Sequence, residues 1–231
     1  MKIKYSGAQA AKYVQFSEKS FSWKFIEKPA IEKHLKPILK SDMQVLDAGC
    51  GAGRTMKLLF DLGVQEKNLI GTDISSDMLN ITRKSFPNVK LIQADLPNLK
   101  LRSESLDLVV SNMTFNYLSQ KDFKKTMENI SRWLVRGGYL FLIAIHPLRF
   151  VTNHSEYFSN KVKIEKTPWG TEIEYHPKKI SDYINTTINS GFDLMTVEEP
   201  IPMGEEAKKN LTEYKKYSSV PTRLLIKAIK K

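Results

Sequence analysis

Three glycines at alternate positions lie between two carboxylates in this chain. The stretch Val45-Leu46-Asp47-Ala48-Gly49-Cys50-Gly51-Ala52-Gly53-Arg54 reads as a short apolar strand that ends on an acid, passes through a glycine turn and opens a helix. Glycine lets backbone approach a ligand where a Cβ would clash. A helix following it, Thr55 to Leu62, turns its N-terminal N–H groups and positive dipole end toward whatever is bound. A second acid, Asp73, ends the next apolar run, Asn68-Leu69-Ile70-Gly71-Thr72, 20 residues beyond Gly53. A βαβ unit needs that separation to set a carboxylate on a ribose diol. The glycine spacing narrows the ligand further. Dinucleotide sites use G-x-G-x-x-G around a pyrophosphate, whereas the pattern here is D-x-G-x-G-x-G. Asp47 beside a pyrophosphate is repelled; beside a cationic amine it is attracted.

S-adenosylmethionine combines such an amine with a sulfonium, a ribose and an adenine, and has no phosphate. On Leu46-Asp47-Ala48-Gly49-Cys50-Gly51-Ala52-Gly53 the sequence resembles the class I S-adenosylmethionine-dependent methyltransferases. The resemblance implies that Asp47, Ala48, Gly49, Gly51 and Gly53 hold the amino-acid part of the cofactor and Asp73 its ribose. Ile74 and Met78 would flank the adenine. Asp95, ending Gln93-Ala94-Asp95-Leu96, would take the adenine amino group while the Leu96 N–H meets a ring nitrogen. Asn112, after the fourth strand, would line the methionine moiety. A further likeness, to a bacterial small-molecule subgroup, rests on Ile145-His146-Pro147, on Tyr175-His176-Pro177, and on Ser190-Gly191-Phe192 with Glu199-Pro200. Pro177 stands where relatives often carry arginine.

Histidine is the natural base for a hydroxyl or ammonium acceptor, because its pKa lies near neutrality. His146 and His176 fall at the expected edges of the site and are the catalytic candidates; a hydrogen-bonded structural role is the alternative for each. His34 and His154 have no such placement. The aromatic-rich segment Tyr5, Tyr13, Phe16, Phe21, Trp23 and Phe25 suggests a lid, with Tyr13 and Trp23 as candidates to form a substrate wall or to approach the sulfonium through a cation–π contact.

The elements that must position these residues read as α/β. Strands are expected at Gln44–Leu46, Leu69–Thr72, Val89–Gln93, Leu106–Ser111, Tyr139–Ile145, Phe192–Glu198 and Arg223–Ile229. Helices are expected at Thr55–Leu62, Ser75–Phe86, Gln120–Leu134 and from about Lys178 to Ser190. Strand–helix alternation of this kind builds a Rossmann-like, seven-stranded, mostly parallel sheet with helices on both faces, and the resemblance makes its last strand antiparallel. Residues 8–40 read as one or two helices, the second, about Glu27 to Leu39, broken at Pro29 and Pro37. Ser119 with Asp122 fits a capping box, and Gly63 and Gly137-Gly138 stand where helices should stop. Residues 147–176 carry no helical period and suggest a hairpin turning near Pro168-Trp169-Gly170. Residues between the last two strands read as a charged loop or short helix. The organisation expected is one domain, 1–231. It comprises a lid at 1–41, a cofactor half at 42–146, an inserted segment at 147–176, and a closing helix and two strands at 177–231.

At 231 residues the chain is long enough for one well-buried domain. Its longest apolar run, Leu140 to Ile145, is far short of a membrane span, and Met1 to Ser6 lack a signal-peptide core. Cys50 is the only cysteine, which excludes an internal disulfide, and the four histidines have no zinc spacing. A cytoplasmic protein without metal, monomer or homodimer, is the expectation. The net charge of +11 is mostly lysine spread along amphipathic helices; arginine forks with interleaved aromatics, the mark of base and phosphate reading, are not concentrated anywhere. The expected activity is methyl transfer from S-adenosylmethionine to oxygen or nitrogen of a small molecule, leaving S-adenosylhomocysteine. The alternatives are an RNA or protein methyltransferase, a dinucleotide oxidoreductase and a non-catalytic cofactor-binding module.

Overall fold

The computed structural model of the chain describes residues 5, 7–149, 151–167, 170 and 172–231. Ahead of the first strand come α1 (Ala8–Glu18), a π-helical turn (Trp23–Glu27) and α2 (Lys28–Leu35). Then follow β1 (Val45–Ala48), α3 (Arg54–Asp61), β2 (Leu69–Asp73), α4 (Ser76–Ser85), β3 (Lys90–Gln93), β4 (Leu106–Asn112), α5 (Gln120–Trp133) and β5 (Leu134–Ile145). A hairpin, β6 (Lys163–Lys166) and β7 (Glu172–Tyr175), precedes α6 (Ile180–Asn189), β8 (Phe192–Glu198), α7 (Glu205–Lys208), α8 (Leu211–Ser218) and β9 (Arg223–Lys230).

Seven strands form one sheet in the order β3-β2-β1-β4-β5-β9-β8. β9 runs antiparallel to both its neighbours, and the pairs from β3 through β5 are parallel. The alternation along β5 explains why both faces are covered. Leu140, Leu142 and Ala144 join Leu46 and Val109 on one face, under Phe123, Met127 and Ile130 of α5 and Tyr183 of α6. Phe141 and Ile143 join Val45, Leu108 and Val110 on the other, under Ala30 and Ile31 of α2, Met56 and Leu59 of α3 and Leu79 of α4. Successive side chains of a strand point to opposite faces, so a continuous apolar run is what a doubly covered strand requires.

Several boundaries differ from the sequence reading. Pro29 does not break α2; it sits in its first turn, where its missing N–H costs nothing. Gly137 and Gly138 do not end α5. They lie inside β5, Gly137 with φ of +77°, next to a register irregularity opposite Leu106 and Leu108. The segment after β8 holds two short helices, and a short 3-10 helix, His154–Phe158, interrupts a stretch expected to be irregular. The N-cap half of the capping reading holds: the Asp122 N–H donates to Ser119 Oγ at 3.1 Å, and the Ser119 hydroxyl, rather than its backbone N–H, donates to Asp122 Oδ2 at 2.7 Å. Of the hairpin turn, Pro168, Trp169 and Thr171 lie outside the described residues.

Candidate active site

Strand order reverses between β1 and β4, and at such a switch point the carboxyl ends of the strands leave a crevice. A cavity of about 420 Å³ occupies it, with Gly49, Gly51, Asp73, Asp95 and Asn112 in its wall. That volume is within the usual range for small-ligand sites.

Local backbone geometry shows why the loop is glycine. Gly49 has φ of +82°, and a Cβ there would lie 2.2 Å from the Oγ1 of Thr114, two residues beyond β4. Gly51, φ +54°, sends its N–H to Asp73 Oδ2 at 2.9 Å. Asp73 Oδ1 takes the Ser75 N–H, also at 2.9 Å, and Ser75 Oγ caps α4 by accepting the Met78 N–H. The carboxylate is thus fixed by two backbone donors at the cavity wall. Burial still pushes its pKa up, against those donors.

Asp47 is placed differently from the sequence reading. It does not reach the cavity wall; it lies buried behind the glycine loop, 1% exposed. The Met56 N–H helps hold it, but its Oδ2 has no hydrogen-bond partner. Burial, then the nearby Asp73 charge, push the Asp47 carboxyl up from 3.8 to about 7. A buried carboxylate with an orphaned oxygen beneath a ligand loop is stabilised by a cation arriving above it and destabilised by an anion.

Of the other expected cofactor residues, Tyr13, Ile74, Met78, Leu96 and Asn112 line the cavity, while Ala48 and Gly53 lie outside its wall. Asn112 Oδ1 is buried without a hydrogen-bond partner, so a donor on the wall side would satisfy it. Met113, with φ of +62°, adopts the left-handed conformation next to it and donates its N–H to Ile143 O at 2.7 Å.

Tyr5, Tyr13 and Phe16 of the N-terminal segment line the crevice. The Tyr5 and Tyr117 hydroxyls are 3.1 Å apart, the Tyr5 and Tyr13 rings 4.8 Å apart, and Ser75 Oγ donates to the Tyr5 carbonyl. The Gly7 N–H donates to Asp77 Oδ2 at 2.7 Å and Arg54 Nη1 to the Ser17 carbonyl at 3.1 Å. Trp23 is not part of this wall. Its ring carries the Arg54 guanidinium at 4.2 Å.

Neither candidate histidine reaches the cavity. His146 is buried with both ring nitrogens engaged: Nε2 is 2.9 Å from Glu199 Oε1, and Nδ1 accepts the Leu148 N–H at 3.1 Å. Burial lowers its pKa despite Glu199, so the neutral ring is favoured. His176 is half-buried at the end of β7 and its N–H donates to the Asn116 carbonyl at 3.0 Å. The far wall is built instead from residues to which the sequence assigned no role in the site. Ile145, Arg149, Thr167, Ile173, Tyr217 and Arg223 line it together with Glu27 of the π-helical turn. Lys178 lies behind Leu118, another residue of the cavity wall: its ammonium is buried and donates to the carbonyls of Phe115 at 3.1 Å, Leu118 at 2.5 Å and His176 at 3.1 Å. A lysine before a helix carries no signal of burial, so nothing local marked it.

Residues 45–138 match the family model of the methyltransferase domain. Over that stretch the chain is similar to known methyltransferase domains. A ubiquinone/menaquinone biosynthesis C-methyltransferase UbiE from Campylobacter jejuni is 32% identical over 120 residues, half of each chain. A phosphoethanolamine N-methyltransferase from Arabidopsis thaliana is also 32% identical over 120 residues, half of this chain and 23% of the plant protein. The chain thus spans half or less of the length of these curated relatives. Among solved structures, an S-adenosylmethionine-dependent methyltransferase from Mesorhizobium loti has a TM-score of 0.73 at 22% identity, covering 92% of this chain and 99% of that one. A Listeria monocytogenes chain gives the same score at 23% identity, covering 89% and 98%. At these identities the likeness is one of fold. No helix among the described residues is long and apolar enough to cross a membrane.

Proposed function

We propose that this chain is an S-adenosylmethionine-dependent methyltransferase acting on oxygen or nitrogen of a small-molecule acceptor. One observation carries the reading: a single cavity has the Gly49–Gly51 loop, Asp73 and Asp95 at one end and a separate polar wall at the other. Asp73, Asp95 and the Leu96 backbone would hold the nucleoside part, and Asn112 and Gly49 the amino-acid part. Asp47 would balance the cofactor's positive charge from behind the loop rather than touch it. When bound, S-adenosylmethionine supplies a methyl carbon on a positively charged sulfur. The protein's own task is alignment and exclusion of water, which the covering Tyr5, Tyr13 and Phe16 side chains support. His146, with both nitrogens committed, serves as a positioning residue for the turn after β5 rather than as a base.

Relatives' names bear on the acceptor. The two just described act on carbon and on nitrogen of small molecules by name, and a Paenibacillus relative, 27% identical over 124 residues, is a malonyl-[acyl-carrier protein] O-methyltransferase. An acceptor wall enclosed by α1, α8 and the hairpin favours a small molecule over a macromolecule. Calorimetric titration with S-adenosylmethionine, S-adenosylhomocysteine and NAD tests the reading. Binding of the first two and not NAD is expected; NAD binding alone would replace it with an oxidoreductase.

A further inference from the structure

We infer that the acceptor is a small molecule carrying a carboxylate, bound at the end of the cavity away from the glycine loop. This rests on the methyltransferase reading above and goes beyond it by naming the acceptor's charge. The charged side chains that line the cavity divide by position. Asp73 and Asp95 belong to the cofactor end. At the other end stand Arg149, Lys166, Lys216 and Arg223, against Glu27 and Glu165.

The innermost of these cations is Arg223, 7% exposed at the start of β9, beside Ile145 in register on β5. Its Nε and Nη2 both lie 2.7 Å from Glu27 Oε1, and Nη1 donates to the Thr222 carbonyl at 3.0 Å. A guanidinium has five N–H donors, so these contacts leave two for a ligand in the cavity. Glu27 therefore orients the fork and leaves donors unspent. One neighbouring cation, Lys216, lies beside the same ring as Arg223. Lys216 Nζ lies 5.2 Å and Arg223 Cζ 6.0 Å from the centre of one ring, Tyr217. Lys216 also reaches Glu213 at 3.3 Å, outside the cavity wall. Arg149 follows within one turn of His146, whose N–H donates to the Thr222 carbonyl at 3.1 Å. Lys216 and Arg223 thus flank one ring, and an anion with fork-matching geometry fits the donors that Arg223 leaves unspent.

Base chemistry points the same way. No histidine lines the described part of this cavity. A hydroxyl or ammonium acceptor must lose a proton before or during methyl transfer, whereas a carboxylate is already ionised at neutral pH. A carboxylate therefore fits a wall of cations without a histidine, either as the atom methylated or as the handle that orients one nearby.

The test uses the full chain saturated with S-adenosylhomocysteine at low ionic strength, titrated with small aromatic and aliphatic carboxylic acids, each paired with its primary amide. Acids are expected to bind at least tenfold more tightly than their amides. The exposed pair Lys166→Glu with Lys216→Glu should lose that preference while S-adenosylhomocysteine affinity stays within twofold, which also shows that the variant is folded. Equal binding of acids and amides overturns the inference, and so does binding of neither. A preference unchanged both by the double charge reversal and by Arg223→Lys, which removes the guanidinium fork, overturns it as well, because the acid would then be read elsewhere on a basic surface. Failure of S-adenosylhomocysteine itself to bind is a separate result and would sink the methyltransferase reading instead.

Discussion

Replacing Asp47 by asparagine should make the cofactor-free protein more stable and its cofactor binding weaker. Asparagine has the same shape and still accepts the Met56 N–H, so the change removes charge with little else. The Asp47 carboxyl ionises near 3.8 in its ordinary setting and near 7 in the fold. Between those values the folded state holds a proton that the unfolded chain has released. Asp47 therefore favours folding most below pH 3.8, and that contribution is lost as pH rises to about 7. At about 1.4 kcal/mol per pH unit the full interval amounts to about 4 kcal/mol, and relaxation around the carboxylate reduces it to about 2–4 kcal/mol. Urea unfolding of Asp47→Asn should thus show a gain of about 2–4 kcal/mol at pH 8 that vanishes near pH 3.5. A cation held above the loop loses roughly 1–2 kcal/mol of attraction, or about tenfold in affinity. Calorimetry in buffers of different ionisation heat should detect proton release on S-adenosylmethionine binding near pH 6.5 in the native protein and not in the variant. A variant that is less stable at pH 8, or a gain that does not depend on pH, would refute this account of Asp47.

Asp73→Ala should reduce S-adenosylhomocysteine affinity by at least tenfold, because the ribose hydroxyls and the Gly51 and Ser75 N–H groups lose their acceptor; unchanged affinity in calorimetry removes its proposed role. Gly49→Ala should destabilise the fold by about 2 kcal/mol or more through its left-handed backbone and the collision with Thr114, and Gly49→Ala/Thr114→Gly should recover part of that in thermal unfolding. His146→Ala should cost stability and leave cofactor affinity intact. Because burial lowers the His146 pKa, its neutral ring supports folding above the ordinary value of 6.5 and that support fades as pH falls below it. A stability difference from the alanine variant that grows on acidification would contradict the assignment.

The glycine-loop end of the cavity was legible because its residues are local. Gly49, Gly51 and Asp73 belong to one βαβ unit, and spacing alone puts them together. The sheet was legible for a similar reason: Leu140 to Ile145 is apolar at every position because both faces are covered. The far wall was not legible. Glu27, Arg149, Tyr217 and Arg223 come from four separated segments, and only the folded chain joins them. Glu27 is presented by a π-helical turn, whose extra residue shifts the side-chain phase that sequence periodicity assumes. The partner of His146 was hidden for a related reason. The histidine's position after β5 matched the expectation, but Glu199, contributed from beyond β8, claims its free nitrogen.

The most direct test is a crystal structure of the complex with S-adenosylhomocysteine. The account predicts its ribose hydroxyls on Asp73, its adenine beside Asp95 and Leu96, and its amino-acid end over Gly49 with the sulfur facing Arg223's side of the cavity. Density elsewhere on the protein, with this crevice filled only by solvent, would contradict it.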